Sequence, residues 1–177
     1  MKLTLFRHAE VDEKYASCYN GHIDISLSQK GIMDTKEVAL KYNSSSYDAI
    51  FCSDLKRCVQ SIEPFGFENV IFTKELREKS FGMHEGMSYD EICSTCNIKY
   101  ENFTQWMNAL DGESIEEFTL HVKRFFFEYL PSLHVEDIFI MTSAGVIKTL
   151  LHLLNNITLE EAFGIKIEYM SKNVIAM

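Results

Sequence analysis

The feature that most constrains the fold is an alternation of short strand-like runs with longer helical patterns. Apolar runs predict strands over residues 2–6, 48–52, 69–73 and 137–142. Repeats near 3.6 residues predict helices over 28–42, 53–62, 88–96, 100–110, 114–130 and 144–154, and residues 165–177 predict a final strand or pair. This alternation predicts an α/β fold, a three-layer α/β/α sandwich around a mostly parallel sheet.

Length and charge narrow the possible partners. The 177 residues contain no visible linker or internal repeat, so we expect a single domain over residues 1–177. The formal net charge is −9 and the pI is about 5.1. Nucleic acid and anionic membranes both require a basic surface, so we expect neither as a partner. A small anionic substrate, held by a few local cations, is compatible with this charge.

The cysteines and the apolar runs indicate the compartment. Five cysteines, an odd number, occur in a chain long enough to fold without disulfides. The longest apolar runs are much shorter than a membrane span, and the first six residues do not resemble a signal peptide. These observations predict a cytoplasmic protein with free thiols.

Three polar clusters follow predicted strands, where parallel sheets bind ligands. Arg7 and His8 follow the first strand, Arg57 lies near the start of the helix after the second, and Ser143 follows the fourth. Guanidinium groups bind phosphate oxygens in a bidentate fork, and neutral imidazole is a nucleophile near pH 7. Each cluster has an ordinary alternative. Arg7 and His8 could form a solvated loop pair, and Arg57 could belong to a surface helix capped by Ser53 or Asp54.

An acidic residue lies in an irregular stretch that contains glycine, residues 76–86. Glu78 could protonate a leaving alkoxide there if burial or a bound phosphate raised its pKa. The alternative is a solvated loop glutamate.

Taken together and in order, the motifs resemble those of the histidine phosphatase superfamily, the phosphoglycerate-mutase-like group. They are Leu5-Phe6-Arg7-His8-Ala9-Glu10, Asn20-Gly21, Leu27-Ser28-Gln29-Lys30-Gly31, Ser53-Asp54-Leu55-Lys56-Arg57, Leu76-Arg77-Glu78, Phe81-Gly82, Glu85-Gly86, Gly112-Glu113-Ser114 and Gly145-Val146-Ile147. The resemblance spans residues 3 to about 154. The short chain is more similar to the small phosphatases, including α-ribazole phosphatases, than to the longer mutases.

The resemblance implies a mechanism and a set of site residues. His8 would attack phosphorus and carry a transient phosphoryl group, Arg7 and Arg57 would hold the phosphoryl oxygens, and Glu78 would protonate the leaving group. Further phosphate or substrate contacts would come from Asn20, Gly21, Ser143 and Ala144. No cofactor and no metal would be required. The helical segment of about residues 84–110 would form the rim over the substrate.

One position departs from the family pattern. Relatives carry a second histidine after the fourth strand, in a Thr-His-Gly-Gly motif followed by Ile-Arg, whereas this chain has Ser143 there and Lys148 at the arginine position. A serine donates one neutral hydrogen bond and brings no charge. Losing a preorganised oxyanion stabiliser costs roughly 10²–10³ in rate, so we expect weakened turnover. A compensated, active site is the alternative.

The resulting hypothesis is hydrolysis of a small phosphomonoester through a phosphohistidine on His8. The best single guess for the substrate is α-ribazole 5′-phosphate. An alternative from a different class is a catalytically inactive relative that binds a phosphorylated ligand or partner.

Overall fold

The computed structural model describes residues 1–42 and 46–177, arranged around a five-stranded sheet. Its strands are β1 (Lys2–Arg7), β2 (Ala49–Ser53), β3 (Ile71–Thr73), β4 (Asp137–Thr142) and β5 (Lys172–Ala176). The strand order is β3-β2-β4-β1-β5. The first four strands are parallel, and β5 is antiparallel to β1. The predicted mostly parallel sheet is therefore confirmed.

Helices cover both faces of this sheet, as the predicted three-layer sandwich requires. They are α1 (Gln29–Ala39), α2 (Lys56–Ile62), α3 (Tyr89–Thr95), α4 (Phe103–Ala109), α5 (Ile115–Arg124), α6 (Leu130–Ser132), α7 (Ala144–Asn155) and α8 (Leu159–Gly164). Short 3₁₀ turns occur at Glu13–Tyr15, Glu63–Phe65, Lys74–Leu76 and Gly82–His84. In the part of the chain that the structure describes, no helix is both long and apolar enough to cross a bilayer.

Alternation of side chains along the strands divides the core into two halves. Leu3 and Leu5 of β1 pack into the half covered by α4, α5 and α7. Phe6 points to the opposite half, beneath α1 and α2, where it stacks on Phe139 with ring centroids 5.3 Å apart. Burial on both faces explains why β1, β2 and β4 are nearly continuous apolar runs.

Several helices begin at side-chain caps that the sequence contains. Ser28 accepts a hydrogen bond from the Gly31 amide at 2.9 Å, which confirms the predicted cap of α1. Full capping boxes start α3, α5 and α8, at Ser88, Ser114 and Thr158. Each box satisfies amide groups that would otherwise lack partners at the helix end.

The predicted start of α2 is wrong. The helix begins at Lys56 rather than Ser53, and its N-cap is Leu55, without a side-chain cap. Asp54 instead accepts two hydrogen bonds from Arg77, each 2.7 Å. The Asp54 carboxylate thus binds the Arg77 guanidinium, which is distant in sequence, and does not cap the helix.

The chain also departs from the predicted elements in its second half. The helix predicted over 114–130 is regular only to Arg124 and continues as a π-helical turn, Phe125–Tyr129, before Pro131, which has no amide hydrogen to donate. The sequence prediction missed α8, although its Thr158 to Glu161 capping box is visible in the sequence. The C-terminus supplies a single strand, β5, rather than a pair.

Candidate active site

Most of the predicted site residues line a cavity of about 670 Å³ at the carboxyl edge of the sheet. Parallel strands bring their carboxyl ends to one edge, so the residues that follow β1 and β4 become neighbours. Arg7 of β1 pairs with Thr142 of β4, which places the next residues, His8 and Ser143, side by side. The His8 amide donates to the Thr142 carbonyl at 2.9 Å and fixes this arrangement.

His8 is a buried imidazole with one defined hydrogen bond. Its Nδ1 lies 2.8 Å from the Ala9 carbonyl, and because a carbonyl only accepts, Nδ1 carries the proton. Neutral imidazole then keeps its free electron pair on Nε2. Burial lowers the pKa of His8 well below 6.5, and the positive charges of Arg57 and Arg7 lower it further. The ring is therefore held in the form that can act as a nucleophile.

Arg7 is fixed by residues near the C-terminus. Its Nη1 donates to the Ile167 carbonyl at 2.6 Å, and its guanidinium carbon lies 3.8 Å from the centre of the Tyr169 ring. Such stacking holds the planar group in one orientation. Burial lowers the pKa of Arg7.

Arg57 is almost completely enclosed, with 1% of its surface exposed. It donates to the carbonyls of Gly21 at 2.8 Å and Ile23 at 3.1 Å. Across residues 1–42 and 46–177, neither Arg57 nor Arg7 forms an ion pair, and the Nε atom of each has no hydrogen-bond partner. A buried and a partly buried cation with free donors form a site suited to an anion.

Glu78 also lines the cavity, where two backbone amides hold its carboxyl group. Its Oε2 accepts from the Gly145 amide at the start of α7 at 2.8 Å, and Oε1 accepts from the Lys79 amide at 3.1 Å. Gly145 allows this contact because a Cβ there would lie 1.8 Å from Glu78 Oε1.

The other predicted contact residues differ in their access to the cavity. Asn20 lines it, with Nδ2 donating to the Tyr15 carbonyl at 2.7 Å and Oδ1 left without a partner among the residues described. Ala144 lines it too. Gly21 and Ser143 are absent from the cavity wall: Gly21 supports Arg57 through its carbonyl, and Ser143 is buried, with 2% of its surface exposed.

Sequence reasoning missed several groups in this site. Tyr169 and the Ile167 carbonyl hold Arg7, although they lie beyond the residues that carry the motifs. Lys148 lines the cavity, whereas the sequence argument treated it only as a departure from the motif. Only its spacing from Ala144, one helical turn, could have signalled this position.

Aromatic side chains form the outer wall of the cavity. Trp106 of α4 donates through its indole nitrogen to the Tyr19 hydroxyl at 2.8 Å. Tyr89 and Tyr100 pack on Trp106 with ring centroids 5.0 and 4.8 Å away, and Phe163 forms part of the same wall. Trp106, Tyr89 and Tyr100 come from the segment predicted to form the rim.

Comparison with known proteins defines the class to which this site belongs. A profile of the histidine phosphatase superfamily (branch 1) matches residues 3–177. The chain therefore belongs to the histidine phosphatase superfamily, as its motifs suggested, and it is a hydrolase of the phosphatase type.

Relatives and solved structures agree with this assignment. The adenosylcobalamin/alpha-ribazole phosphatase of Salmonella typhimurium is 28% identical over 158 residues, covering 85% of this chain and 78% of that protein. Phosphoserine phosphatase 1 of Hydrogenobacter thermophilus is 32% identical over 135 residues, covering 71% and 62% respectively. The alpha-ribazole phosphatase structure from Shigella flexneri shares the fold, with a TM-score of 0.85 and 24% identity over 100% of this chain and 91% of that one.

Proposed function

We propose that this protein hydrolyses a small phosphomonoester through a phosphohistidine on His8. The observation that carries the proposal is the neutral His8 imidazole beside Arg7 and Arg57. Arg7 is partly buried and Arg57 is buried, and neither has an acidic partner among the residues that the structure describes. Phosphoryl transfer depends mainly on positioning the nucleophile and stabilising the spread negative charge. These three side chains supply both functions.

Two steps follow from the placement of His8 and Glu78. His8 Nε2 attacks phosphorus, the P–O ester bond breaks, and Glu78 gives its proton to the leaving oxygen. Water then attacks the phosphohistidine, Glu78 accepts a proton from that water, and the P–N bond breaks to release phosphate. The amide hydrogen bonds to Glu78 support this role because they hold the carboxyl group in one position.

The remaining predicted residues have supporting roles in this proposal. Asn20 and Ala144, which both line the cavity, shape the wall beside the phosphoryl group. Gly21 acts indirectly, because its carbonyl holds Arg57 and a Cβ at this position would lie 2.4 Å from the Lys79 carbonyl oxygen. Ser143 brings no charge to the position next to His8, so turnover is slower than with an imidazolium there.

The aromatic wall supports a substrate with an aromatic leaving group. Stacking on Trp106, Tyr89 or Tyr100 stabilises a flat heterocycle, and the Salmonella typhimurium relative is named for α-ribazole. We therefore propose α-ribazole 5′-phosphate as the substrate to test first, with phosphoserine as the comparison suggested by the Hydrogenobacter thermophilus relative.

The test is phosphate release from p-nitrophenyl phosphate, α-ribazole 5′-phosphate and phosphoserine. We expect turnover that His8→Ala abolishes and Glu78→Gln lowers. In the Glu78→Gln variant, intact-protein mass spectrometry should detect the phosphoryl group on the protein. His121→Ala, a helical histidine outside the cavity, is the matched control. Turnover that survives His8→Ala would exclude the proposed nucleophile.

A second function is favoured by Ser143, whose hydroxyl is buried and uncharged at the place of the family's second histidine. This second function is the binding of a phosphorylated ligand without turnover. In that case the unmodified chain would match His8→Ala in phosphate release, whereas Ser143→His would restore turnover.

A further inference from the structure

The site has fewer positive charges than the motif it resembles. Ser143 Oγ is buried and has no hydrogen-bond partner within the described part of the chain. It also does not cap α7, which begins at the next residue. The side chain beside His8 therefore contributes no charge and no committed hydrogen bond. A second source of positive charge would have to come from another residue of the cavity.

Lys148 is placed to be that source. An α-helix has 3.6 residues per turn, so Ala144, Gly145 and Lys148 lie on one face of α7, and all three line the cavity. The Lys148 ammonium donates to the Phe163 carbonyl at 2.7 Å, and no carboxylate of the described residues lies within ion-pair distance. One carbonyl contact leaves two ammonium hydrogens available for an anion.

The charged groups near Lys148 also place it at the proposed phosphoryl site. Burial lowers its pKa; among the neighbouring charges, Glu78 raises that pKa and Arg7 lowers it. Glu160 of α8 lines the same cavity as a further acidic group. Lys148 thus lies near Arg7 and Glu78, which are proposed to act on the phosphoryl group, and shares the cavity with Glu160, with which it forms no ion pair. Its flexible four-carbon stem allows the ammonium to exchange the Phe163 carbonyl for a phosphoryl oxygen.

We propose that Lys148 is a further catalytic residue, whose ammonium contacts the phosphoryl group and supplies the charge that Ser143 does not. This inference rests on the proposed function, since it concerns the same phosphoryl site. Two other roles make different predictions. Lys148 could only tether α7 to α8 through the Phe163 carbonyl, or it could bind a second anionic group of the substrate.

A double-mutant cycle separates these roles. Lys148→Met would be compared with the unmodified chain, and then in the Ser143→His background, using p-nitrophenyl phosphate, which has no second anionic group. We expect kcat/KM to fall about 10²-fold in the unmodified chain, the loss typical for one oxyanion stabiliser, and much less in the Ser143→His background. Lys148→Arg should retain most of the activity because it keeps the charge. Lys36→Met, an exposed lysine of α1, is the matched control.

Equal fold losses in both backgrounds would overturn the inference and indicate a tether. Unchanged kcat/KM on p-nitrophenyl phosphate with a loss on phosphoserine alone would overturn it in favour of a substrate anchor.

The same cycle read by orthovanadate binding, using calorimetry, does not depend on turnover. The inference is supported if Lys148→Met weakens vanadate binding in the unmodified chain and weakens it much less in the Ser143→His background. This result would count even if no phosphate release is detected. Unchanged vanadate affinity overturns it. The proposed function fails separately, through His8→Ala.

Discussion

Gly145 shows how one residue sets the geometry of the site. The Glu78 carboxylate accepts from its amide at 2.8 Å and occupies the space that a side chain would need. Alanine usually stabilises a helix relative to glycine, so this glycine is present for the close approach and not for helix stability.

Gly145→Ala should therefore lower kcat by about 10²-fold, because the added Cβ displaces the Glu78 carboxyl group by more than an ångström. The measurement is steady-state hydrolysis of p-nitrophenyl phosphate beside thermal denaturation. Gly164→Ala, where nothing lies within 4 Å of the added Cβ, is the matched control and should leave both values close to the unmodified ones. An unchanged kcat for Gly145→Ala would contradict the role given to Glu78.

His8 makes folding stability depend on pH. Burial and the two nearby guanidinium groups lower its pKa in the folded state well below 6.5, whereas in the unfolded chain the pKa is near 6.5. Between these two values the unfolded state binds the proton more strongly, so stability falls as pH falls. The slope from this one group approaches about 1.4 kcal/mol per pH unit inside that window.

His8→Gln should flatten this dependence, because glutamine has no proton to gain. Urea denaturation between pH 7.5 and pH 5 gives the free energy of unfolding for each variant. The exposed His134 provides the control, since His134→Gln should leave the slope of the unmodified protein in place. Parallel curves for His8→Gln and the unmodified chain would show that His8 is not buried as described.

At the scale of elements, the site depends on a link between two loops. Asp54 precedes α2, which carries Arg57, and Arg77 adjoins Glu78 in sequence. The two hydrogen bonds of 2.7 Å between Asp54 and Arg77 join these segments. The Arg77 hydrogen bonds lower the pKa of Asp54 in the folded state. The contribution of the Asp54–Arg77 pair to folding stability is therefore fully present above the ordinary aspartate pKa, about 4, and is lost as pH falls through the lowered pKa.

Asp54→Asn should lower the free energy of unfolding at pH 7 by about 1 kcal/mol, because the pair is partly buried and bidentate. It should also lower kcat/KM, since the segments that carry Arg57 and Glu78 lose their link. Glu37→Gln removes an exposed pair between Glu37 of α1 and Lys41, just beyond that helix, and should change neither quantity. If both variants behaved alike, the link would have no part in holding the site.

At the scale of the whole molecule, an anion should stabilise the fold. Arg57 is buried and Arg7 partly buried, neither has an acidic partner among the described residues, and their uncompensated charges oppose folding. Inorganic phosphate at 100 times its Kd should stabilise the protein by about 2.7 kcal/mol. Thermal denaturation in phosphate and in chloride of equal ionic strength measures this increment.

Arg57→Gln should abolish most of the phosphate increment, because its guanidinium is a main part of the anion site. Arg124→Gln, an exposed arginine of α5, should keep it. An increment of equal size in both variants would mean that phosphate binds elsewhere on the protein.

The sequence by itself determined the architecture and the motif residues. Apolar runs and helical periodicity, which act over a few residues, were enough for the parallel sheet and for the Ser28 cap of α1. These local patterns did not predict the start of α2, where Asp54 binds Arg77 and does not cap the helix. They also did not predict the π-helical turn that begins at Phe125.

Only the tertiary structure decided how the site is held. Tyr169 stacks on Arg7, more than 160 residues earlier, and the Ile167 carbonyl fixes the same guanidinium across 160 residues. Folding likewise buried Ser143 without a hydrogen-bond partner among the described residues and brought Lys148 into the cavity. Local patterns cannot specify such contacts, because these depend on how elements distant in sequence pack against one sheet edge.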